Sequence, residues 1–227
     1  MSHEQRDEFD RALDEALAGL NLRIEAVRRE RMADHYERLI EANRQFNLTR
    51  ITSPVDAAVK HYADSLTLLA TGWVHGDRKL SVLDVGTGAG FPAVPLAIVC
   101  DRWSILAIDG TGKKVRFVED SAAALGLAHL AARHVRLEEL VRQGGERFEL
   151  VTVRAVGKIP ELLADLAAVT RPGGSIAFYK SEQADAEVAA AEAIASKLRL
   201  AMTIHHVELA AGQEKLTRRL VRYQRPR

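Results

Sequence analysis

The chain of 227 residues is long enough for one α/β domain with a smaller appendage. Its formal net charge is only +1, so bulk charge neither favours nor excludes a nucleic acid as partner. The single cysteine, Cys100, excludes an internal disulfide framework, the N-terminus lacks the apolar core of a secretory signal, and no apolar run has the length of a membrane span. We therefore expect a cytoplasmic protein with no membrane partner.

The first 75 residues carry the pattern of helices. Apolar residues recur at intervals of three and four over Met32–Phe46, and similar spacing occurs within residues 1–30. Ser53 and Pro54 are typical of a helix start, and this helix should end near Gly72. It is expected to bury Val55, Val59, Tyr62, Leu66 and Leu69. The sequence thus predicts a helical N-terminal extension and cap over residues 1–75.

From residue 76 to the C-terminus, short β-rich runs alternate with helical runs. Strands are expected at Ser81–Val85, Ser104–Ile108, Leu150–Val153 and Ser175–Tyr179, with a weaker one at His129–His134. Helices are expected at Pro92–Cys100, Thr111–Leu125, Pro160–Val169 and Ala184–Leu198. Such alternation predicts a mostly parallel sheet covered on both faces, the α/β class. Two final runs, Ala201–Leu209 and Leu216–Tyr223, are joined by Ala-Ala-Gly-Gln-Glu and predict a hairpin that adds one antiparallel strand.

A glycine-rich loop, Asp84-Val-Gly-Thr-Gly-Ala-Gly90, follows the first expected strand. Gly86, Gly88 and Gly90 would let the backbone approach a ligand, and the next helix start would offer unpaired amides to a negative group. Asp84 would organise the loop and the ammonium group of a zwitterionic ligand. The loop therefore predicts a site for a nucleotide-like cofactor.

The identity of that cofactor depends on the surroundings of the loop. Asp109 ends the next strand, where a carboxylate accepts hydrogen bonds from ribose hydroxyls in both NAD and S-adenosylmethionine folds. The spacing Gly-x-Gly-x-Gly, the preceding Asp84 and the terminal hairpin favour S-adenosylmethionine over NAD, which expects Gly-x-Gly-x-x-Gly. We expect a Rossmann-like class I S-adenosylmethionine methyltransferase sheet over residues 76–227.

Several segments resemble the bacterial 16S ribosomal RNA guanine-N7 methyltransferases, historically called glucose-inhibited division protein B. The resemblance is carried by Leu83-Asp-Val-Gly-Thr-Gly-Ala-Gly-Phe-Pro-Ala-Val-Pro-Leu-Ala-Ile98, Asn47-Leu-Thr, His61-Tyr-Ala-Asp64-Ser65-Leu, Asp109, Gly112-Lys-Lys-Val-Arg-Phe117, Val153-Arg-Ala155 and Lys180. It runs from about Met32 to the C-terminus. It implies transfer of a methyl group from S-adenosylmethionine to guanine N7, in a loop of 16S ribosomal RNA near the decoding site.

The resemblance also implies roles for individual residues. Gly86 and Phe91 would border the cofactor, Asp109 would hold its ribose, and Leu137 with Glu138 would flank the adenine. Arg154 would lie near the methionine end and the RNA. The full expected cofactor set is Asp84, Gly86, Gly88, Gly90, Phe91, Asp109, Gly110, Thr111, Leu137, Glu138 and Arg154.

Guanine N7 has an exposed lone pair and needs no deprotonation, so we expect no general base. Arg154, Lys180 and His61 are the candidates for positioning the RNA substrate. His61 and Asp64 are spaced to pair with each other, or His61 faces RNA. The remaining basic residues are candidates either for RNA contact or for a solvated surface: Lys113, Lys114, Arg116, Arg218, Arg219 and Arg222. Cys100 is expected in the core, and no cluster has metal-ligand spacing, so no metal is expected.

The expected partner is 16S ribosomal RNA or the small ribosomal subunit, bound by a monomer. Three alternatives stay open at this point. The chain could methylate another RNA site or a small molecule, it could be a non-catalytic ribosome-binding module that retains the cofactor fold, or it could use NAD(P).

Overall fold

The computed structural model describes residues 1–211 and 214–227, with the side chains of residues 210–215 outside the description. The described strands form one seven-stranded sheet in the order β3-β2-β1-β4-β5-β7-β6. Their bounds are β1 Leu80–Val85, β2 Trp103–Asp109, β3 Leu130–His134, β4 Phe148–Arg154, β5 Thr170–Ser181, β6 Ala201–Ala211 and β7 Glu214–Gln224. Strands β1 to β5 pair in parallel, whereas β7 is antiparallel to both β5 and β6.

Helices cover both faces of the sheet. Their bounds are α1 His3–Gly19, α2 Ala26–Phe46, α3 Pro54–Ala57, α4 Asp64–Ala70, α5 Ala93–Val99, α6 Gly112–Ala124, α7 Leu137–Gln143, α8 Ile159–Val169 and α9 Asp185–Lys197. A π-helical segment, Ala58–Ala63, joins α3 to α4. Helices α1 to α6 share a hydrophobic core with one face of the sheet, and α7, α8 and α9 pack on the other face.

The predicted α/β class, mostly parallel sheet and terminal antiparallel strand are confirmed. Ser53 caps α3 as expected, because its hydroxyl accepts a hydrogen bond from the Asp56 amide at 3.2 Å. The expectation that Val55 is buried is wrong: it is 36% exposed. Helix α7 was not predicted, and Gly212 and Gln213, in the expected hairpin connection, lie outside the described residues.

An aromatic cluster packs the N-terminal helices against one another. The ring of Phe9, on α1, stacks on Tyr36 at 4.9 Å and meets the edge of Tyr62 at 5.1 Å. All three side chains are almost fully buried. The division into residues 1–75 and 76–227 stays a prediction, since one continuous core joins these helices to the sheet. None of the described helices is both long and apolar enough to span a bilayer.

Replacing Phe9 by alanine should lower the free energy of unfolding by about 3–5 kcal/mol, since it removes a fully buried ring between two tyrosines. Urea denaturation followed by circular dichroism measures this change. Phe46→Ala is the matched control, because that ring is 43% exposed and its loss should change stability by about 0.5 kcal/mol or less. Equal losses in the two variants would show that α1 is not anchored through Phe9.

Candidate active site

A cleft of about 360 Å³ opens at the carboxyl edge of the sheet, where the strand order reverses between β1 and β4. Open α/β sheets bind ligands at such a switch point. The cleft brings together six of the expected cofactor residues, Gly86, Asp109, Gly110, Thr111, Leu137 and Glu138. Lys114, a candidate for RNA contact in the sequence, also lines the cleft, whereas Arg136 and Val156 were not predicted as site residues. The contribution of these last two depends on how the segments after β3 and β4 fold back over the cleft.

Two glycines of the loop hold conformations and spaces that other residues would not fit. Gly86 has a φ of +68°, and a Cβ atom there would lie 2.2 Å from Val156 Cγ2 in the cleft wall. Gly90 has a φ of +92°, and its Cβ would lie 2.6 Å from Val94 Cγ2. The glycines therefore let the loop pass closely under the β4–α8 connection and into α5.

The amides of this loop are largely used within the protein. Gly86 and Thr87 donate to the carbonyl of Ile108 at 2.8 and 3.0 Å, and Gly90 donates to the carbonyl of Thr87 at 3.0 Å. The sequence predicted unpaired amides at the start of the next helix, α5. There the amide of Val94 donates to the carbonyl of Gly90 at 2.7 Å and the amide of Ala93 interacts with Asp84, so that expectation is wrong for these two residues.

The Asp109 carboxylate ties the glycine loop to the end of β2. Its Oδ2 accepts from the amide of Gly88 at 3.0 Å, and its Oδ1 accepts from the amide of Thr111 at 2.8 Å. Lys114 Nζ lies 3.9 Å from Oδ2. A carboxylate offers about four acceptor positions, so acceptor capacity remains on the cleft side for ribose hydroxyls.

Asp84 lies beneath the loop and is completely buried. Its Oδ1 accepts a hydrogen bond from the Thr152 hydroxyl at 2.8 Å, and the Thr87 hydroxyl and the Ala93 amide also interact with the carboxylate. Burial raises the pKa of Asp84 to about 6, although these donors and the Arg154 charge act in the opposite direction. Asp84 is not among the residues that line the cleft, and its contacts hold the glycine loop over the end of β1.

The other end of the cleft is formed by the start of α7. Leu137 is buried there, and Glu138 is exposed beside it. Arg136 packs over Gly110, where a Cβ would lie 3.1 Å from the arginine Nε. This arrangement agrees with an apolar wall and a carboxylate at the adenine end of a nucleoside site.

Arg154, at the end of β4, is fixed by the helical segment that carries His61 and Asp64. Its Nη2 donates to the carbonyl of Lys60 at 3.0 Å, and its Nη1 donates to the hydroxyl of Ser65 at 3.1 Å. Nη1 also lies 3.3 Å from the Asp64 carboxylate, which is 1% exposed. Arg154 does not line the cleft itself and instead joins the cap to the sheet next to it.

His61 is buried in the same network. Arg154 Nη2 lies 3.1 Å from His61 Nδ1, and because arginine only donates, Nδ1 is the acceptor. His61 Nε2 then carries the proton and donates to the hydroxyl of Thr49 at 2.9 Å. Burial lowers the pKa of His61 to about 3, with the Arg154 charge adding to the effect. The expected His61–Asp64 pair is wrong, since Asp64 binds Arg154 and Arg218 instead.

Phe91 follows the glycine loop but turns toward the cap. Its ring stacks on His61 at 4.3 Å, and Arg154 lies over it at 5.7 Å. It is 6% exposed and does not line the cleft. Contact between the Phe91 side chain and the cofactor stays a prediction, and its observed contacts hold the loop against α2 and the π-helical segment.

Lys180, near the end of β5, holds the β4–α8 connection. Its Nζ donates to the carbonyl of Gly157 at 3.0 Å and to the Glu187 carboxylate at 2.7 Å. The same Glu187 oxygen accepts from the amide of Ile159 at 3.1 Å. Lys180 thus positions the segment that contains Val156, and its contact with RNA stays a prediction.

The other basic candidates differ in their partners. Lys113 donates to the carbonyl of Phe46 at 2.9 Å, and Arg116 is exposed on α6. Arg218 Nε donates to Asp64 at 2.7 Å, and Arg219 pairs with Asp185. Arg222 lies over the ring of Trp73. The three arginines of β7 therefore have three different environments.

Cys100 and a second cavity lie outside this cleft. Cys100 is buried in the core as expected, and burial raises the pKa of its thiol to about 12, so it is not a reactive nucleophile. A larger cavity of about 650 Å³ lies between α1 and α2, lined by Asp14 and Arg29 among others. None of the residues expected to bind the cofactor or the RNA lines this cavity. Within the described residues, no cluster of His, Cys, Asp and Glu is arranged to hold a metal ion.

The fold and the position of the cleft are those of a known class of proteins. The chain is similar to a solved S-adenosylmethionine-dependent O-methyltransferase from Thermotoga maritima, with a TM-score of 0.57 over 83% of this chain and 71% of that one. Sequence identity is 12%, so this likeness concerns the fold alone. The chain has the Rossmann-like sheet of the class I methyltransferases, as the sequence predicted.

Sequence comparison gives the particular family. The family described as rRNA small subunit methyltransferase G matches residues 28–217. A ribosomal RNA small subunit methyltransferase G of Solibacter usitatus is 40% identical over 174 residues, covering 76% of this chain and 79% of that protein. One from Levilactobacillus brevis is 34% identical over 183 residues, covering 78% and 74%. The chain belongs to this family, which confirms the predicted enzyme class and its cofactor, S-adenosylmethionine.

Replacing Asp109 by alanine should weaken binding of S-adenosylmethionine by about 1–3 kcal/mol, because ribose hydroxyls would lose their acceptor. Isothermal titration calorimetry measures the change in Kd. Asp120→Ala is the control, since this carboxylate is exposed on α6 and does not line the cleft. An unchanged Kd for Asp109→Ala would place the ribose elsewhere.

Replacing Asp84 by asparagine should change how stability depends on pH. The folded-state pKa of about 6 lies above the ordinary value of 3.8, so the folded protein binds this proton more tightly than the unfolded chain. The contribution of Asp84 to stability is therefore fully present below about pH 4 and is lost as pH rises through about 6. Asparagine does not titrate. The unfolding free energy of the variant minus that of the wild type should therefore rise by about 2–3 kcal/mol between pH 4 and pH 8.

Chemical denaturation at a series of pH values gives this difference directly, and other titrating groups cancel in it. Asp120→Asn should show no such trend, because its carboxylate is exposed. A difference for Asp84→Asn that stays constant with pH would mean that Asp84 titrates normally.

Proposed function

We propose that this enzyme transfers a methyl group from S-adenosylmethionine to N7 of a guanine in 16S ribosomal RNA. The supporting observation is the cleft at the carboxyl edge, which joins Gly86, Asp109 and Glu138 in a chain that belongs to the family over residues 28–217. The relatives carry the name ribosomal RNA small subunit methyltransferase G. The substrate is 16S ribosomal RNA or the small subunit, and the protein acts as a cytoplasmic monomer without a metal ion.

The residues present fit the proposed cofactor. Asp109 has acceptor capacity left for ribose hydroxyls, and Leu137 with Glu138 would flank the adenine. The buried carboxylate of Asp84 would stabilise the ammonium of the methionine part from beneath the loop, and a Cβ at Gly86 would clash with the cleft wall. Gly88, Gly90, Gly110, Thr111, Phe91 and Arg154 complete the proposed cofactor set. When bound, S-adenosylmethionine supplies an electrophilic methyl group.

The protein's part in this reaction is to align guanine N7 with the methyl group of the cofactor. Guanine N7 attacks through a free lone pair, so no side chain has to remove a proton first. His61 agrees with this requirement, because its Nδ1 accepts from Arg154 and its proton stays on Nε2 toward Thr49. Lys180 and Glu187 hold the β4–α8 connection beside Val156, which shapes the wall against which the base would lie.

Arg154, Lys180 and His61 are proposed to position the RNA through this scaffold. Arg154 fixes the junction of β4, the π-helical segment and Phe91. Lys180 fixes the connection after β4, and His61 stacks under Phe91. Each therefore influences the edge where the target base meets the cofactor.

Purified enzyme should transfer labelled methyl groups to small ribosomal subunits from a strain that lacks it. Digestion of the 16S ribosomal RNA followed by nucleoside mass spectrometry should give N7-methylguanosine. Asp109→Ala is the control for dependence on the cofactor cleft and should lower incorporation at limiting S-adenosylmethionine. Label on protein, on small molecules or on another nucleoside would contradict the proposed substrate.

A further inference from the structure

The arginines of β7 differ in how their charges are balanced. Arg218 is bound by the buried Asp64, and Arg219 is paired with Asp185. Arg222 forms no ion pair with any described residue, and its one hydrogen bond to a side chain is the 3.4 Å contact of Nη2 with the Thr203 hydroxyl. Of these three cations, Arg222 is thus the one whose charge is not balanced by a carboxylate in the part of the chain that the structure describes.

Arg222 also lies over an aromatic ring. Its guanidinium carbon lies 4.8 Å from the ring centroid of Trp73, in the segment after α4. The ring of His205 meets the edge of Trp73 at 6.1 Å. Arg222 Nε is buried without a hydrogen-bond partner among the described residues, and burial lowers the pKa of the guanidinium. A cation partly removed from water and left without an anion is an unfavourable arrangement unless a ligand completes it.

We propose that Trp73, Arg222, Thr203 and His205 form a docking surface for single-stranded RNA, distinct from the methyl-transfer cleft. This inference rests on the proposed function in one respect only, which is that the bound RNA is 16S ribosomal RNA. A phosphate would take the free N–H groups of Arg222, and an unpaired base would stack on the guanidinium face opposite Trp73.

The chemistry of the surface favours RNA over an acidic protein partner. A carboxylate is recognised by the charge of an arginine alone, whereas an unpaired base can also stack on a guanidinium or an aromatic ring, and this surface combines the two. Thr203 lies directly across the β6–β7 ladder from Arg222 and is exposed, so its hydroxyl is accessible next to the guanidinium. Arg222 pairs with Ala177, in the carboxyl half of β5, and none of the four residues of this surface lines the cleft. The surface would therefore bind RNA outside the cleft.

The test compares Arg222→Gln with Arg147→Gln, which removes the same charge from an exposed arginine that forms no ion pair with described residues. Affinity for a 16S ribosomal RNA fragment is measured by filter binding over a range of salt, and methyl transfer is measured on small subunits. Arg222→Gln should raise Kd and KM at least fivefold and reduce the slope of log Kd against log salt by about one. Arg147→Gln should change Kd less than twofold.

A second variant separates stacking from charge. Arg222→Lys keeps the charge but loses the planar guanidinium, so it should raise Kd while leaving the salt slope unchanged.

Tryptophan fluorescence gives an independent measurement of RNA binding at this surface. Of the two tryptophans, Trp103 is 1% exposed, so quenching of emission by the RNA fragment should report mainly on Trp73. The quenching should be weaker in Arg222→Gln.

Equal Kd values for Arg222→Gln and Arg147→Gln would overturn the inference while methyl transfer by the wild type still upheld the proposed function. If Arg222→Gln lost activity on assembled subunits while its Kd for the naked RNA fragment stayed unchanged, the surface would be assigned to a ribosomal protein. That result would also overturn the inference. RNA binding that depends on Arg222, in a protein that methylates no RNA, would support the surface and reject the proposed function.

Discussion

The ion pair between Arg154 and Asp64 holds the cap and the sheet in one arrangement. Both side chains are nearly removed from water, and such a pair is tolerable only if its remaining donors are satisfied. The carbonyls of Lys60 and His61 and the hydroxyl of Ser65 provide those acceptors. The end of β4 must therefore meet the π-helical segment in this register. Phe91 stacks on the ring of His61 and lies near the Arg154 guanidinium, so the end of the glycine loop is fixed by the same network.

This network also fixes the charged groups next to the cleft. Asp64 pairs with both Arg154 and Arg218, and His61 stays neutral because it is buried and its Nδ1 accepts from Arg154. Neither arginine can move toward a substrate without leaving Asp64 buried and unpaired. Such fixed side chains suit an enzyme that aligns its substrates and needs no proton transfer.

Features that depend on local sequence could be predicted, and features that depend on tertiary contacts could not. The glycine loop, Asp109 and the alternation of strands and helices each follow from short-range patterns, and the cleft contains Gly86 and Asp109 as expected. The π-helical segment changes the period of the helix it interrupts, so a constant period wrongly assigned Val55 to the core. The partner of His61 lies 93 residues away on β4, beyond any spacing rule, and Asp64 at one helical turn was the wrong choice.

The two charged groups that border the loop differ in how well burial is compensated. The Arg154 network is closed, with acceptors for its donors, and it has the properties of a structural support. Asp84 keeps a raised pKa of about 6 despite its interactions with Thr152, Thr87 and Ala93, so burial still disfavours its ionised form. A buried carboxylate of this kind is stabilised when a positive charge approaches it. Because the amides of Gly86 and Thr87 already donate to Ile108, we propose that recognition at the loop depends on side chains rather than on these two amides.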